Sequence, residues 1–291
     1  MCTSSVGYFA QLAAVAEVCA PKAGNVHPQT AFDDTNWLDF VASSLAIRPV
    51  LDLTTETGVG SAVLASVQAT QQAVGRNTNL GMILLMAPMC AVPLSIDLAS
   101  GIDDVLASLT ENDTANVYAA IRMANPGGLG QTRQFDVAQP PACGLLEAMA
   151  MASQADMVAR QYVTGFEDVL KTIGPRIAEY DQKGKTLDQV IVQIHLEQMA
   201  RQPDSLIIRK CGESSAKEAQ ARAACVLATE WPKTEQGQVA FNDFDQWLRA
   251  DGNRRNPGTS ADLIAAGLFA AIRSGWIQTP FKWSSSQNPW A

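Results

Sequence analysis

Basic side chains are scarce. Against 29 acidic residues the 291-residue chain carries 21 Lys and Arg, for a formal net charge of −8 and a pI near 4.8. A surface so short of cations does not bind nucleic acid or an anionic membrane broadly. Any phosphate ligand must therefore be held locally, together with a metal ion. Histidine is scarcer still, at two residues. Of these, His195 lies on a helical face with Ile191, Ile194 and Gln198, where packing is its expected role, and neither anchors a triad. The six cysteines show no C-x-x-C spacing. That excludes a zinc ribbon, suggests no disulfide framework, and leads us to expect reduced thiols in a cytoplasmic protein. No G-x-S-x-G, Walker-type glycine loop or Rossmann fingerprint occurs, so the familiar hydrolase, P-loop and dehydrogenase readings lack their motifs. The most apolar run, Leu80 to Leu94, is interrupted by Pro88 and Pro93 and falls short of the ~20 residues a bilayer needs. The N-terminal stretch to Ala20 has no Lys or Arg before Lys22 and carries Glu17 where a leader would be cleaved. It reads as a first helix.

What is present is helical pattern. Apolar periodicity predicts helices over 4–19, 34–48, 58–74, 80–92, 102–109, 113–123, 144–171, 175–181, 187–201, 215–229, 240–250 and 260–273. Thr186-x-x-Gln189 and Ser215-x-x-Glu218 both fit the capping box. With 47% hydrophobic and 17% charged residues and no spacer or repeat, the expectation is an all-α, single-domain multi-helix bundle spanning 1–291. Its buried centre is the helix 80–92.

The connections carry the chemistry. Val59, Val63, Val67, Thr70 and Val74 form one helical face that Gly75 can close in the left-handed cap, and Asn77-Thr78-Asn79-Leu80-Gly81 follows. Thr78 or Asn79 is a natural N-cap, and the free N–H groups behind it suit an anion. Asn256-Pro257-Gly258-Thr259-Ser260-Ala261-Asp262 reads as a second such turn, with Thr259 as cap and Asp262 in the first turn. Pro21-Lys22-Ala23-Gly24-Asn25-Val26-His27-Pro28 offers a cation, an amide and an imidazole, although Lys22 would equally complement a helix C-terminus. Asp33 and Asp34, at the start of the next helix, suit either its macrodipole or Mg²⁺, which takes one or two protein oxygens and fills its octahedron with water and phosphate. Asp39, further along, reads as an exposed charge. Asp156 and Arg160 are four apart and would pair on a helix for about 0.3–0.5 kcal/mol, or else Arg160 and Tyr162 face a nucleotide. Asp204, Arg209 and Lys210 form a last cluster after Pro203. Between Asn125 and Pro141 runs a long loop rich in Gly and Pro that contains Asp136.

Taken in order, Pro21 to Pro28, Gly75 to Gly81, Asp156 to Tyr162, Asp204 to Gly212 and Asn256 to Asp262 resemble the triphosphoribosyl-dephospho-coenzyme A synthase family over nearly the whole chain. The resemblance implies an all-α enzyme that joins the ribose C1 of ATP to the 2′-hydroxyl of 3′-dephospho-coenzyme A, releasing adenine and keeping the triphosphate. Under it, Mg²⁺ and the triphosphate lie between Asp33, Asp34 and the two helix N-termini at Asn77–Gly81 and Asn256–Asp262. Lys22, Arg160, Arg209 and Lys210 neutralise phosphates, Asn25, His27 and Asp156 complete the nucleotide site, and Asp136 is a base or metal ligand. The citrate lyase branch usually has a His-Lys pair where this chain has Asn79 and Leu80, and His-Asp-Met where it reads Phe32-Asp33-Asp34. A related transferase with another acceptor, or a helical nucleotide-binding protein without catalysis, are the competing readings.

Overall fold

The computed structural model describes residues 5–127, 139 and 141–285, and within them the chain builds fifteen α-helices and no sheet. The N-terminal part holds α1 (Val6–Cys19), α2 (Trp37–Leu51), the single turn α3 (Thr54–Thr57) and α4 (Val59–Val74). Next come α5 (Leu80–Ala91), α6 (Leu98–Ala107) and α7 (Glu111–Ala124). The remainder comprises α8 (Leu145–Ala152), α9 (Met157–Val163), a π-helical segment (Asp168–Ile173), α10 (Gly174–Gln182), α11 (Leu187–Arg201), α12 (Ser205–Cys211), α13 (Glu213–Ala228), α14 (Glu235–Arg249) and α15 (Gly258–Arg273). The apolar stretch before Ala20 is indeed the first helix, capped by Ser5 Oγ, which accepts from Tyr8 N–H at 3.3 Å. No helix among the described residues is long and apolar enough to cross a membrane. The five described cysteines are unpaired.

Two helices, rather than one, form the centre. α5 is apolar on every side, as expected of a fully buried helix, and Ile83, Leu85, Met86 and Met89 are wholly enclosed. α15 is enclosed to the same degree, with Leu263, Ile264, Leu268 and Phe269 at its heart. Its alanines and Gly267 let α1, α5, α10, α11 and the π segment all approach it. Each such Leu or Ile contributes ~1.5–3 kcal/mol by leaving water, and the buried apolar residues join into one contiguous cluster.

Several predicted boundaries change for local reasons. The helix expected over 144–171 is three elements, because Asp156 starts a new helix by accepting from Val158 N–H and Ala159 N–H at 2.8 and 3.1 Å. Gly165 and Phe166 then take positive φ before the π segment. The Thr186–Gln189 capping box forms. The one at Ser215–Glu218 does not, since α13 already begins at Glu213 after Gly212. Asp39 closes another box with Asn36 at the start of α2 and is not merely an exposed charge.

α4 and α7 approach closely at Gly60, where an added Cβ would lie 2.4 Å from Asp113 Cα. Gly60 N–H donates to Asp113 Oδ1 at 2.7 Å, and Thr110 donates to the other oxygen through N–H at 2.8 Å and Oγ at 2.6 Å. Burial alone would raise the Asp113 pKa, but these hydrogen bonds outweigh it and hold the carboxyl below its usual range. Gly60→Ala is expected to cost ~1–3 kcal/mol by overpacking, read as a lower urea midpoint at neutral pH. For Asp113→Asn the sign follows from the depressed pKa. The carboxylate stabilises the fold above the unfolded value of about 3.9 and ceases to do so as pH falls through the folded value. The deficit of the variant relative to wild type should therefore be present at pH 7 and shrink below about pH 4, as followed by thermal melts across pH.

Candidate active site

The C-terminal end of α1 and the N-terminal ends of α5, α9, α12 and α15 open onto one cleft of about 1480 Å³. That exceeds the roughly 300–1,000 Å³ of a pocket for one small ligand. Helix N-termini present free N–H groups and partial positive charge, so their convergence creates an environment for anions before any side chain is counted.

Three of these termini are filled by two of the protein's own carboxylates. Asp204, 1% exposed, accepts through Oδ1 from Leu206 N–H and Ile207 N–H of α12 at 2.8 and 3.1 Å. Its Oδ2 accepts from Ser260 N–H and Oγ of α15 at 2.7 and 2.8 Å. Burial pushes its pKa up and these donors pull against that shift. Asp156 caps α9 and also holds Arg209 Nη1 at 2.5 Å. α5 differs. Leu80 N–H donates to Asn77 Oδ1 at 3.1 Å, while the N–H groups of Gly81 and Met82 have no acceptor among the described residues. Of the two helix N-termini expected to bind anions, α5 stays open and α15 is occupied by Asp204.

The expected site residues divide accordingly. Asn25, Asp33, Asp34, Asn77, Thr78, Asn79, Gly81, Asp156, Arg209, Lys210, Asn256, Thr259 and Asp262 all line the cleft. Within it, Thr78 bonds Ser43 at 2.7 Å, Asn79 accepts from Thr70 Oγ at 3.1 Å, and Asn25 donates to Asn256 Oδ1 at 3.1 Å. Asp33 and Asp34 lie exposed in a bend ahead of α2, outside the helix predicted to begin at 34, so the macrodipole does not explain them. Thr259 is not a cap. Pro257 holds that position, Thr259 Oγ accepts from Ser205 Oγ at 3.1 Å, and Asp262 falls beyond the first turn.

Three residues leave the predicted site. Lys22 is buried and ion-paired to Glu17 at 2.9 Å, with hydrogen bonds to Glu17 O and Ala20 O that complete the α1 C-terminus. His27 pairs with Gln29 at 2.9 Å off the cleft. Arg160 does not pair with Asp156. It binds Asp168 at 2.7 Å and Gln202, while the buried Tyr162 donates to Leu84 O. Lys22 and His27 are captured by groups within five residues of them in sequence, and Arg160 by Asp168 and Gln202 on other elements. Asp136 lies outside the described residues.

Comparison with known proteins places this geometry. Residues 3–280 match the ATP:dephospho-CoA triphosphoribosyl transferase (CitG) family. The chain belongs to that family. As a member it is a transferase, and the family's reaction is triphosphoribosyl transfer from ATP to dephospho-CoA. A crystal structure from Archaeoglobus fulgidus, provisionally described as a triphosphoribosyl-dephospho-coA synthase, superposes with a TM-score of 0.64. It has 24% identity over 81% of this chain and 100% of that one, and shows the shared fold. No curated protein matches.

The CitG-family cleft also contains residues that sequence reading passed over. Glu17 is 4% exposed and lines the cleft from the last turn of α1. The signal was available, since an acid in the final turn of an otherwise apolar helix opposes the macrodipole and calls for a reason. Arg76 and Arg254 line the rim. Nothing in their local sequence marked them.

Lys210 has no ion-pair or hydrogen-bond partner for its ammonium among the described residues, and burial, then Arg209, lowers its pKa. Gly81 leaves room for Asp262, whose Oδ2 would lie 2.1 Å from a Cβ there. Gly81→Ala is expected to displace that carboxyl with little loss of Tm, yet to weaken tripolyphosphate binding by calorimetry at least about tenfold, about 1.4 kcal/mol. Unchanged affinity would show that the α5 terminus holds no phosphate.

Proposed function

We propose that this cleft binds ATP and 3′-dephospho-coenzyme A together and joins the ribose C1 of the first to the 2′-hydroxyl of the second, releasing adenine, with the chain acting as one domain. The observation that carries the reading is the open α5 N-terminus facing the same cleft as the unpaired Lys210, in a volume suited to two nucleotides. In this reading the triphosphate lies between those groups and Arg209, whose Nε is buried without a partner among the described residues. Arg76 screens the outer phosphates.

The cleft residues also fit Mg²⁺. Among the described residues no three His, Cys, Asp or Glu cluster, which disfavours an all-protein cage. The exposed Asp33 and Asp34 on the rim supply the one or two carboxylates that Mg²⁺ takes when phosphates complete its shell. Bound there, the ion would lower the charge of the triphosphate. Asp262 is not read as a phosphate ligand, because a carboxylate beside a phosphate repels it unless protonated or bridged by a cation.

Glycosyl transfer runs through an oxocarbenium-like state, so this chain's residues must orient the acceptor hydroxyl, hold the ribose away from water and manage two protons. Purified protein with ATP, Mg²⁺ and dephospho-coenzyme A should release free adenine in step with formation of the joined product. Absence of adenine under every metal condition would sink the proposal. Lys210→Ala should raise the KM for ATP about tenfold or more with kcat largely kept, as expected for a uniform phosphate contact.

A further inference from the structure

Two carboxyl groups of the cleft remain without an assigned task. Glu17, at the end of α1, is enclosed, and Lys22 Nζ sits 2.9 Å from its Oε1, although that oxygen has no aligned hydrogen bond. Asp262, on α15, has no hydrogen-bond or ion-pair partner among the described residues and rests against the bare Cα of Gly81. Both line the cleft, and the charge of Glu17 acts directly on Asp262. Beside them Asn25, 6% exposed, also lines the cleft and leaves Oδ1 without a donor among the described residues, while its Nδ2 is held by Asn256. A buried amide oxygen with no donor is costly unless a ligand supplies one. An acceptor hydroxyl or an adenine amino group meets that need.

We propose that Glu17 and Asp262 are the base and the acid of the glycosyl transfer, an inference that rests on the reaction assigned above to this cleft. The bond from ribose C1 to adenine N9 breaks and its electron pair goes to the base, while Asp262 gives a proton to adenine N7. The bond from the acceptor 2′-oxygen to C1 forms, and the hydroxyl proton goes to Glu17. Passage of that proton from Glu17 to Asp262 restores both groups, so the cycle consumes and releases no net proton. The two environments divide the roles. Lys22 compensates a negative charge on Glu17, whereas Asp262 has no ion-pair partner among the described residues, and the pull of Arg209 on it is outweighed by burial and by Glu17, Asp204 and Asp156. Burial, and then the charge of Glu17, raises the Asp262 pKa well above the usual range. Paired carboxyls whose surroundings differ in this way take opposite parts in acid–base chemistry. A neutral Asp262 also allows a phosphate to approach the α5 terminus, which an ionised one would oppose.

The test compares ATP with N7-methylated ATP, whose base leaves without needing a proton. Asp262→Asn is expected to lower kcat on ATP by about 10²- to 10⁴-fold while staying within about threefold of wild type on the methylated substrate. Glu17→Gln should lose a similar factor on both. Retained thermal stabilisation by ATP shows that each variant is folded. Should Glu17→Gln fail to fold because Lys22 is left unpaired, the double variant Glu17→Gln, Lys22→Met removes both charges and carries the same expectation. Equal losses on the two substrates for Asp262→Asn, no loss on ATP, or full activity without Glu17 would each overturn the pair alone. Wild-type protein that releases no base from either substrate overturns the reaction itself, and the pair with it.

Discussion

Asp204 accepts four hydrogen bonds from the starts of α12 and α15, and the arrangement of the cleft depends on that shared anion. Taking a carboxylate out of water costs several kcal/mol unless its lone pairs are filled. Here two N–H groups fill one oxygen, an N–H and a hydroxyl fill the other, and two helix termini supply positive potential. Because both helices start from one anchor, Arg209 and Lys210 on α12 and Thr259 and Asp262 on α15 are held on the same wall. The short α12 packs Ile207 into the core with Ile208 and Cys211 against it, and the Asp204 anchor fixes its N-terminal end.

The same economy governs charge. Five carboxylates and four cations line a cleft for polyanionic substrates, an unpromising balance if each acted freely. They do not. Lys22 compensates Glu17 from behind, and Arg209 compensates Asp156. What remains open is Lys210, the Arg76 side chain, the α5 N-terminus and the rim carboxylates Asp33 and Asp34. Electrostatic interactions strengthen when water is excluded, so in the function proposed above these open groups are the ones left to meet phosphate and a divalent cation.

Local features of the site were legible in the chain. The valine stripe of α4 ends at Gly75 with φ 70°, and the turn after it places Asn77 as the acceptor for Leu80 N–H. These depend on neighbours a few residues apart, which periodicity and capping chemistry describe. Side-chain fates were less legible. Lys22 and Arg160 looked like phosphate ligands because they are cations beside turns. Whether a cation faces a ligand depends on carboxylates brought near by packing, and Asp168 and the orientation of Glu17 are not implied by local spacing. Asp156 and Arg160, four apart, illustrate the point, since each prefers a partner on another element.

The amino-acid sequence by itself determined that this chain is all-α, that its motifs fall at helix ends, and that its family is that of the ATP:dephospho-CoA triphosphoribosyl transferases. Hydrophobic period, capping residues and motif order are properties of the linear chain. Only the tertiary structure decided that α15 shares the centre with α5, that two helix termini are closed by Asp204 while another stays open, and that Glu17 and Asp262 line the same cleft. Those outcomes come from competition among residues up to some 245 positions apart. Burial penalises every unpaired charge, so the partners that packing brings together determine which groups remain for the substrate.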